Sequence, residues 1–197
     1  MKLLRALAAA LGVWIGLHDA TAPQQDVLGR RAQVMAAAAR SSGPRAAAVA
    51  LASSIRYSRR RVVASGVRPA PPEIQQALGP YFDAELMADV RWSVSGRGFD
   101  LGSLLAGWYL EEGAVTLEDV VVFSNPATAR SVGLWAHELS HVEQYRRLGV
   151  SRFAEHYVRD WRGLEEEASR NNRRIQAERA AQAGAAANEA DLVGVLN

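Results

Sequence analysis

The residues with the clearest chemical potential are two histidines four positions apart, in the stretch His137-Glu138-Leu139-Ser140-His141. Residues with this spacing lie on the same face of an α-helix, so both imidazoles can bind one metal ion. Glu138 lies on the adjoining face, where it can take a proton from a water molecule that the metal activates. Zn²⁺ accepts histidine and carboxylate ligands. The pattern therefore predicts the helix of a zinc-dependent peptidase.

The surrounding sequence favours a helix at this place. Gly149 follows Arg146-Arg147-Leu148, and a glycine after cationic residues is typical of a helix C-terminus. Apolar residues recur at helical spacing and can bury one side of the helix: Leu134, Trp135, Leu139, Val142 and Tyr145. The alternative is a surface helix that carries two histidines by chance.

A third ligand is available in the run Glu165-Glu166-Glu167, which begins 24 residues after His141. That separation leaves room for a loop and a short helix, so a second long helix can return beside the first. Consecutive residues point about 100° apart on a helix, so at most one or two of the three can face the metal. The same run also suits a solvated helix start, where acids complement the macrodipole.

A peptidase also needs a hydrogen-bond donor for the oxyanion that forms at the attacked carbonyl. Tyr157 is the first candidate, and Tyr145 and His156 are the others. The spacing does not choose among them.

The composition limits the chemistry. The chain has 197 residues, a net charge of +2 and no cysteine, and Lys2 is its single lysine. The lack of cysteine excludes disulfides, thiol catalysis and thiolate metal sites. Zinc is the expected cofactor, with histidine and carboxylate ligands.

Residues 1–22 have the features of a secretory signal peptide. Lys2 and Arg5 precede the apolar run Ala6–Leu17, and Ala20-Thr21-Ala22 provides a cleavage site before Pro23. The run is shorter than the roughly 20 residues that span a bilayer. We therefore expect a periplasmic or secreted mature protein without a transmembrane segment. A retained N-terminal anchor is the alternative.

Residues 23–68 form a basic segment, helical or flexible, because nine arginines and no acidic residue lie between Val27 and Pro72. Such a segment can bind an anionic partner. Tyr57 is its single aromatic residue, so specific nucleic-acid binding is not expected. The simpler interpretation, which we favour, is a solvated pair of amphipathic helices that precede the enzyme domain.

Residues 69–187 are the predicted domain, and residues 188–197 a tail. Asp89–Val94 alternates as a half-buried strand, and Ala114–Phe123 reads as one strand or a hairpin around Glu118-Asp119. A third helix is expected over Ser151–Trp161. The fold class is therefore α+β, mostly helical, with a small antiparallel sheet before the metal-binding helix.

The stretch from Ala114 to Ala168 resembles the extracellular contractile injection system core domain, a family of HExxH zinc metallopeptidase-like domains. The resemblance lies in Ala114–Leu117, in Val120–Phe123 and above all in Leu134–Tyr145, which contains Ala-His-Glu-Leu-Ser-His-Val-Glu-Gln. Members also carry a Glu-x-x-Ala-like element on a later helix, matched here by Glu165–Ala168.

This resemblance implies a minimal zincin-like fold and a hydrolase. In gluzincins the first glutamate of such an element is the third ligand, which implies Glu165 here, with Glu167 and then Glu166 as the next choices. The acid that usually follows the alanine is replaced by Ser169.

Two functions follow as hypotheses. The first is an exported zinc metallopeptidase that acts on a peptide or protein, with His137, His141 and Glu165 as ligands, Glu138 as general base and Tyr157 as oxyanion donor. The second is a non-catalytic zinc-containing binding module of the cell envelope or of a secretion or toxin system, with Arg30 to Arg61 as its contact surface. The intact Glu138 favours the first, since a structural zinc site has no use for a base.

Overall fold

The computed structural model describes residues 43–94 and 113–195, with side chains up to residue 185. The predicted signal peptide lies outside the described residues. No helix in the described ranges combines the length and the apolar character that crossing a membrane requires.

The described chain begins with helix α1 and then alternates short helices and strands. The elements are α1 (Pro44–Ser65), β1 (Arg68–Pro69), α2 (Pro72–Leu78), α3 (Ala84–Asp89), β2 (Arg91–Val94), β3 (Ala114–Leu117) and β4 (Val120–Phe123), with 3₁₀ turns at Gly79–Tyr81 and Thr128–Arg130. A helical stretch then spans Val132–Val195. Non-helical backbone at Gly149 and Asp160 divides it into α4 (132–148), α5 (150–159) and α6 (161–195). Most of the predicted tail is therefore helical.

The four strands form one mixed sheet in the order β1-β2-β4-β3. The α+β class and the mainly helical character are confirmed, but the expected antiparallel sheet is wrong in one pairing, because β2 and β4 are parallel. A parallel pair needs a connection of a dozen or more residues, which the chain between Val94 and Val120 provides. The β3–β4 pair is the predicted hairpin, with Glu118 at a positive φ of 66° in its turn.

The strands β3 and β4 are buried on both faces of the sheet. Successive side chains of a strand point to opposite faces. Leu117 and Val120 accordingly join a core cluster with α1 and α5, whereas Val121 and Phe123 join a second cluster with α2, α3 and α4. The continuous apolar character of these strands is what such a central layer requires.

Helix α1 is an integral part of the fold. Leu51, Ile55 and Val62 are almost completely buried, and they pack in one cluster with β3, β4 and α5. Arg59 adds a pair of hydrogen bonds to Asp119 in the hairpin turn, with 2.7 Å between Nη2 and Oδ2. The sequence analysis favoured a solvated pair of helices, but in α1 only the outer face is solvent-exposed. The part of the predicted segment before residue 43 lies outside the described residues. The boundary at residue 69 stays a prediction, but the packed structure already includes α1.

Helix α4 lies at the centre of the molecule. The Ser131 hydroxyl accepts a hydrogen bond from the Leu134 N–H at the start of α4. Gly149, with φ 71°, ends the helix as predicted, because this left-handed conformation suits glycine. The chain then reverses through α5, so that α6 runs antiparallel to α4: Gln144 contacts Leu164, and Ser140 contacts Asn171.

The contribution of α1 to stability can be tested with a matched pair of alanine substitutions in this helix. We expect Leu51→Ala to lower the free energy of unfolding by about 2–5 kcal/mol, because it opens a cavity in the core. Val49 is 67% exposed, and Val49→Ala should stay within about 0.5 kcal/mol of the wild type. Denaturant unfolding measures both. Equal, small effects would mean that α1 does not belong to the cooperative unit.

Candidate metal centre

Three potential ligand atoms converge between α4 and α6. Nε2 of His137 and Nε2 of His141 lie 3.2 Å apart. Oε2 of Glu165 lies 3.3 Å from the first and 3.6 Å from the second. Among the described residues, these three form a group that could hold a metal ion. The structure thus brings together the three ligands that the sequence analysis proposed.

The size of this triangle fits a zinc ion. Ligand atoms placed tetrahedrally at about 2.0–2.1 Å from zinc are about 3.3 Å apart from one another. The observed separations of 3.2, 3.3 and 3.6 Å lie close to this edge length. Two imidazole nitrogens and a carboxylate oxygen are also a donor set that zinc accepts. Three protein ligands leave a fourth tetrahedral position for a water molecule or a substrate.

The three consecutive glutamates have different surroundings because they lie on different sides of α6. Glu165 is the one that faces the histidines. Glu166 is exposed, and Glu167 forms an ion pair with Arg147, with 2.9 Å between Oε1 and Nη2. Glu165, the first choice, is therefore the glutamate that lies beside the histidines, while metal binding itself stays a prediction.

The carboxylate of Glu165 favours positive charge at the triangle. Burial by itself lowers the pKa of His141, but the charge of Glu165, its hydrogen bond and the more distant charge of Glu138 outweigh burial and raise that pKa to about 9. A proton and a metal ion compete for the same Nε2 atom. The surroundings of His141 therefore favour positive charge at this position, and metal binding stays a prediction.

The sequence analysis did not assign a role to Gln144, which is 1% exposed. Its Oε1 lies 2.8 Å from Nδ1 of His141. Its Nε2 donates to the carbonyl of Leu164, the residue before Glu165, at 2.9 Å. A signal was available, since Gln144 is three positions after His141 and so shares its helix face.

Glu138 is 2% exposed and is held by a strand residue. The hydroxyl of Thr116 in β3 lies 2.7 Å from Oε2 of Glu138 and 3.2 Å from the Glu138 carbonyl. In the described ranges, no residue forms a hydrogen bond with Oε1. Thr116 was not predicted as a site residue, because its contact with Glu138 depends on how the sheet packs against α4.

The three candidates for the oxyanion donor have different positions. The hydroxyl of Tyr157 donates to Oε1 of Glu165 at 3.3 Å, so it lies at the edge of the ligand triangle. Tyr145 is buried, and its hydroxyl lies 3.4 Å from the Thr116 carbonyl. His156 is exposed. Tyr157 is thus brought to the ligands, and its role at an oxyanion stays a prediction.

Buried polar side chains are concentrated at this site. In the described part of the chain six polar residues are buried, and all except Ser58 belong to α4 or to the strand beside it: Thr116, Glu138, Ser140, His141 and Gln144. Polar groups are rarely buried without a specific reason, and such concentrations mark functional sites. The side chain of His137 is 17% exposed and that of Glu165 is 13% exposed, so the triangle is accessible from solvent.

Comparison with known proteins identifies the segment that carries most of this site. Residues 69–149 match the family model of the eCIS core domain. The matched range includes β2, β3, β4 and α4, and hence His137, Glu138 and His141, but it ends before Glu165. No curated protein and no solved structure shows significant similarity to the chain. Residues 69–149 are therefore similar to the eCIS core domain, in agreement with the resemblance found in the sequence.

Proposed function

We propose that this chain is a zinc-dependent peptidase that hydrolyses peptide bonds in a peptide or protein substrate. The observation that carries the proposal is the juxtaposition of a zinc-sized ligand triangle with a buried, hydrogen-bonded glutamate that follows the first ligand in sequence. A site that served only to stabilise the fold would normally fill four positions with protein ligands. The three ligands and the adjacent carboxylate support a catalytic site instead.

A zinc ion held by His137, His141 and Glu165 would supply a Lewis acid that polarises the substrate carbonyl and acidifies the attacking water. Residues of the chain supply the proton transfer and the positioning. Glu138 takes the proton of the attacking water at Oε1 and later donates it to the leaving amine. The hydroxyl of Thr116 holds Oε2, which keeps the carboxylate in one orientation. Tyr157 orients Glu165 through Oε1 and is the nearest candidate for an oxyanion donor.

Export is the second part of the proposal and rests on residues 1–22, whose basic start, apolar run and Ala20-Thr21-Ala22 motif suit a secretory signal. The absence of cysteine leaves the proposed site independent of thiol oxidation outside the cytoplasm.

The alternative, a zinc-containing binding module, draws on the outer face of α1. Arg45, Arg60 and Arg61 are exposed there. The large exposed hydrophobic residues of the described chain, Val49, Tyr57 and Val63, lie on the same helix. This face suits an anionic partner, and such contact is compatible with catalysis by the proposed site.

Metal content tests the ligand set. We expect about one zinc per chain in the wild type, and loss of zinc in His141→Ala and in Glu165→Ala, because each change removes a corner of the triangle. Glu166→Ala is the matched control, since Glu166 is exposed and adjacent to a ligand. Elemental analysis after dialysis against a weak chelator gives the ratio. A folded wild type that takes up no zinc would refute the peptidase proposal.

Replacement of Glu138 separates catalysis from metal binding. Glu138→Gln keeps the shape of the side chain and an acceptor for Thr116, but it removes the base. We expect zinc content to be unchanged and turnover to fall by about 10²–10⁴-fold. Cleavage of a diverse peptide library, followed by mass spectrometry, measures turnover without a known substrate. Unchanged cleavage in Glu138→Gln would exclude Glu138 as the base, and a zinc-loaded wild type without any cleavage would favour the binding module.

The hydrogen bond from Thr116 can be tested with a conservative pair. Thr116→Val keeps the volume but loses the hydroxyl, whereas Thr116→Ser keeps the hydroxyl. A hydrogen bond to a charged group contributes about 1.5–3 kcal/mol, so Thr116→Val should reduce kcat by about 10- to 100-fold with zinc retained. Thr116→Ser should stay close to the wild type. A valine variant as active as the serine variant would show that the hydroxyl has no part in turnover.

A further inference from the structure

Gln144 joins the two helices that supply the ligands. Its carboxamide oxygen meets Nδ1 of His141 at 2.8 Å, and its nitrogen donates to the Leu164 carbonyl at 2.9 Å. The side chain is almost fully buried, so solvent does not compete for either bond. The oxygen of the Gln144 amide thus contacts His141 on α4, and its nitrogen contacts Leu164, the residue before Glu165 on α6.

The Leu164 carbonyl determines the orientation of the Gln144 side-chain amide. A carbonyl oxygen can only accept, so the NH₂ group of Gln144 must face it. The amide oxygen is then the atom that faces His141, and it also can only accept. Nδ1 of His141 must therefore carry a proton. In the neutral imidazole the lone pair that remains is on Nε2, the atom of the ligand triangle.

From this geometry we infer that Gln144 is a positioning residue of the proposed metal centre. Its amide oxygen selects the Nδ1–H tautomer of His141. Its amide nitrogen fixes the register of α6 relative to α4, in which Glu165 contacts the two histidines. The inference rests on the proposed zinc site. It assigns to an uncharged side chain a role that a carboxylate or a backbone carbonyl commonly has beside a metal-binding histidine. Gln144 itself does not contact the metal position.

The use of an amide rather than a carboxylate has a physical reason. A carboxylate at this position would accept from His141 equally well, but its second oxygen would face the Leu164 carbonyl, acceptor against acceptor. Only a group with an acceptor at one end and a donor at the other satisfies both neighbours. Glutamine therefore serves the tautomer and the helix contact at once.

The experiment measures zinc affinity of the full chain by competition with a chelator. Loss of such a supporting partner typically weakens metal binding by about 10- to 100-fold, and we expect this for Gln144→Leu. Gln144→Glu keeps the acceptor for His141 and should weaken binding less, while it lowers thermal stability through the contact with Leu164. Gln176→Leu makes the same chemical change on α6 instead of α4, at a residue that contacts Asn172, and should leave zinc affinity unchanged.

A second measurement does not depend on any variant. In the zinc-loaded wild type labelled with ¹⁵N-histidine, the chemical shifts of His141 should show coordination through Nε2 and a protonated Nδ1. Coordination through Nδ1 would overturn the inference. So would Gln144→Leu binding zinc as tightly as the wild type, or no more weakly than Gln176→Leu. These results would leave the zinc site standing, whereas a wild type that binds no zinc would remove the site and this inference with it.

Discussion

The structure depends most on one constraint, the fixed register of two antiparallel helices. Two of the candidate ligands lie on α4 and the third on α6, so the triangle exists only if α6 packs beside α4 in one particular register. Two hydrogen bonds between α4 and α6 maintain this register, one on each side of Glu165 in sequence: Gln144 with Leu164, and Ser140 with Asn171. A slip of one residue would turn the α6 side chains by about 100° and remove the carboxylate from the site.

The sheet gives this helix pair a rigid base. Because β3 and β4 are buried on both faces, α1 and α5 cover one face while α4 covers the other. The position of α4 relative to β3 then brings the Thr116 hydroxyl to Glu138. The bidentate contact from Arg59 to Asp119 links α1 to the hairpin that carries Thr116. Helix α1, which lies in the described part of the basic segment, thus supports the site through packing.

Electrostatics and burial act together at the candidate site. Burial of ionisable groups is costly unless they are paired. Here the histidines lie against Glu165, and Glu138 is hydrogen-bonded by Thr116. The raised pKa of His141 reflects the excess of negative charge around it. A divalent cation at the triangle would compensate that charge more fully than a proton, which supports the proposal of metal binding at this place.

Local sequence determined the elements and the chemistry of α4. The four-residue spacing of His137 and His141, the stop at Gly149 and the strands of the β3–β4 hairpin depend on backbone geometry over a few residues, and each was predictable. Tertiary structure decided what depends on distant contacts: the parallel pairing of β2 with β4, the incorporation of α1 into the core, and the contacts of Thr116 and Gln144. The selection of Glu165 as the third candidate ligand depended on both local sequence and tertiary structure. Helical geometry limited the run of three glutamates to one or two ligands and the family resemblance favoured the first, but only the register between α4 and α6 places that carboxylate beside the histidines.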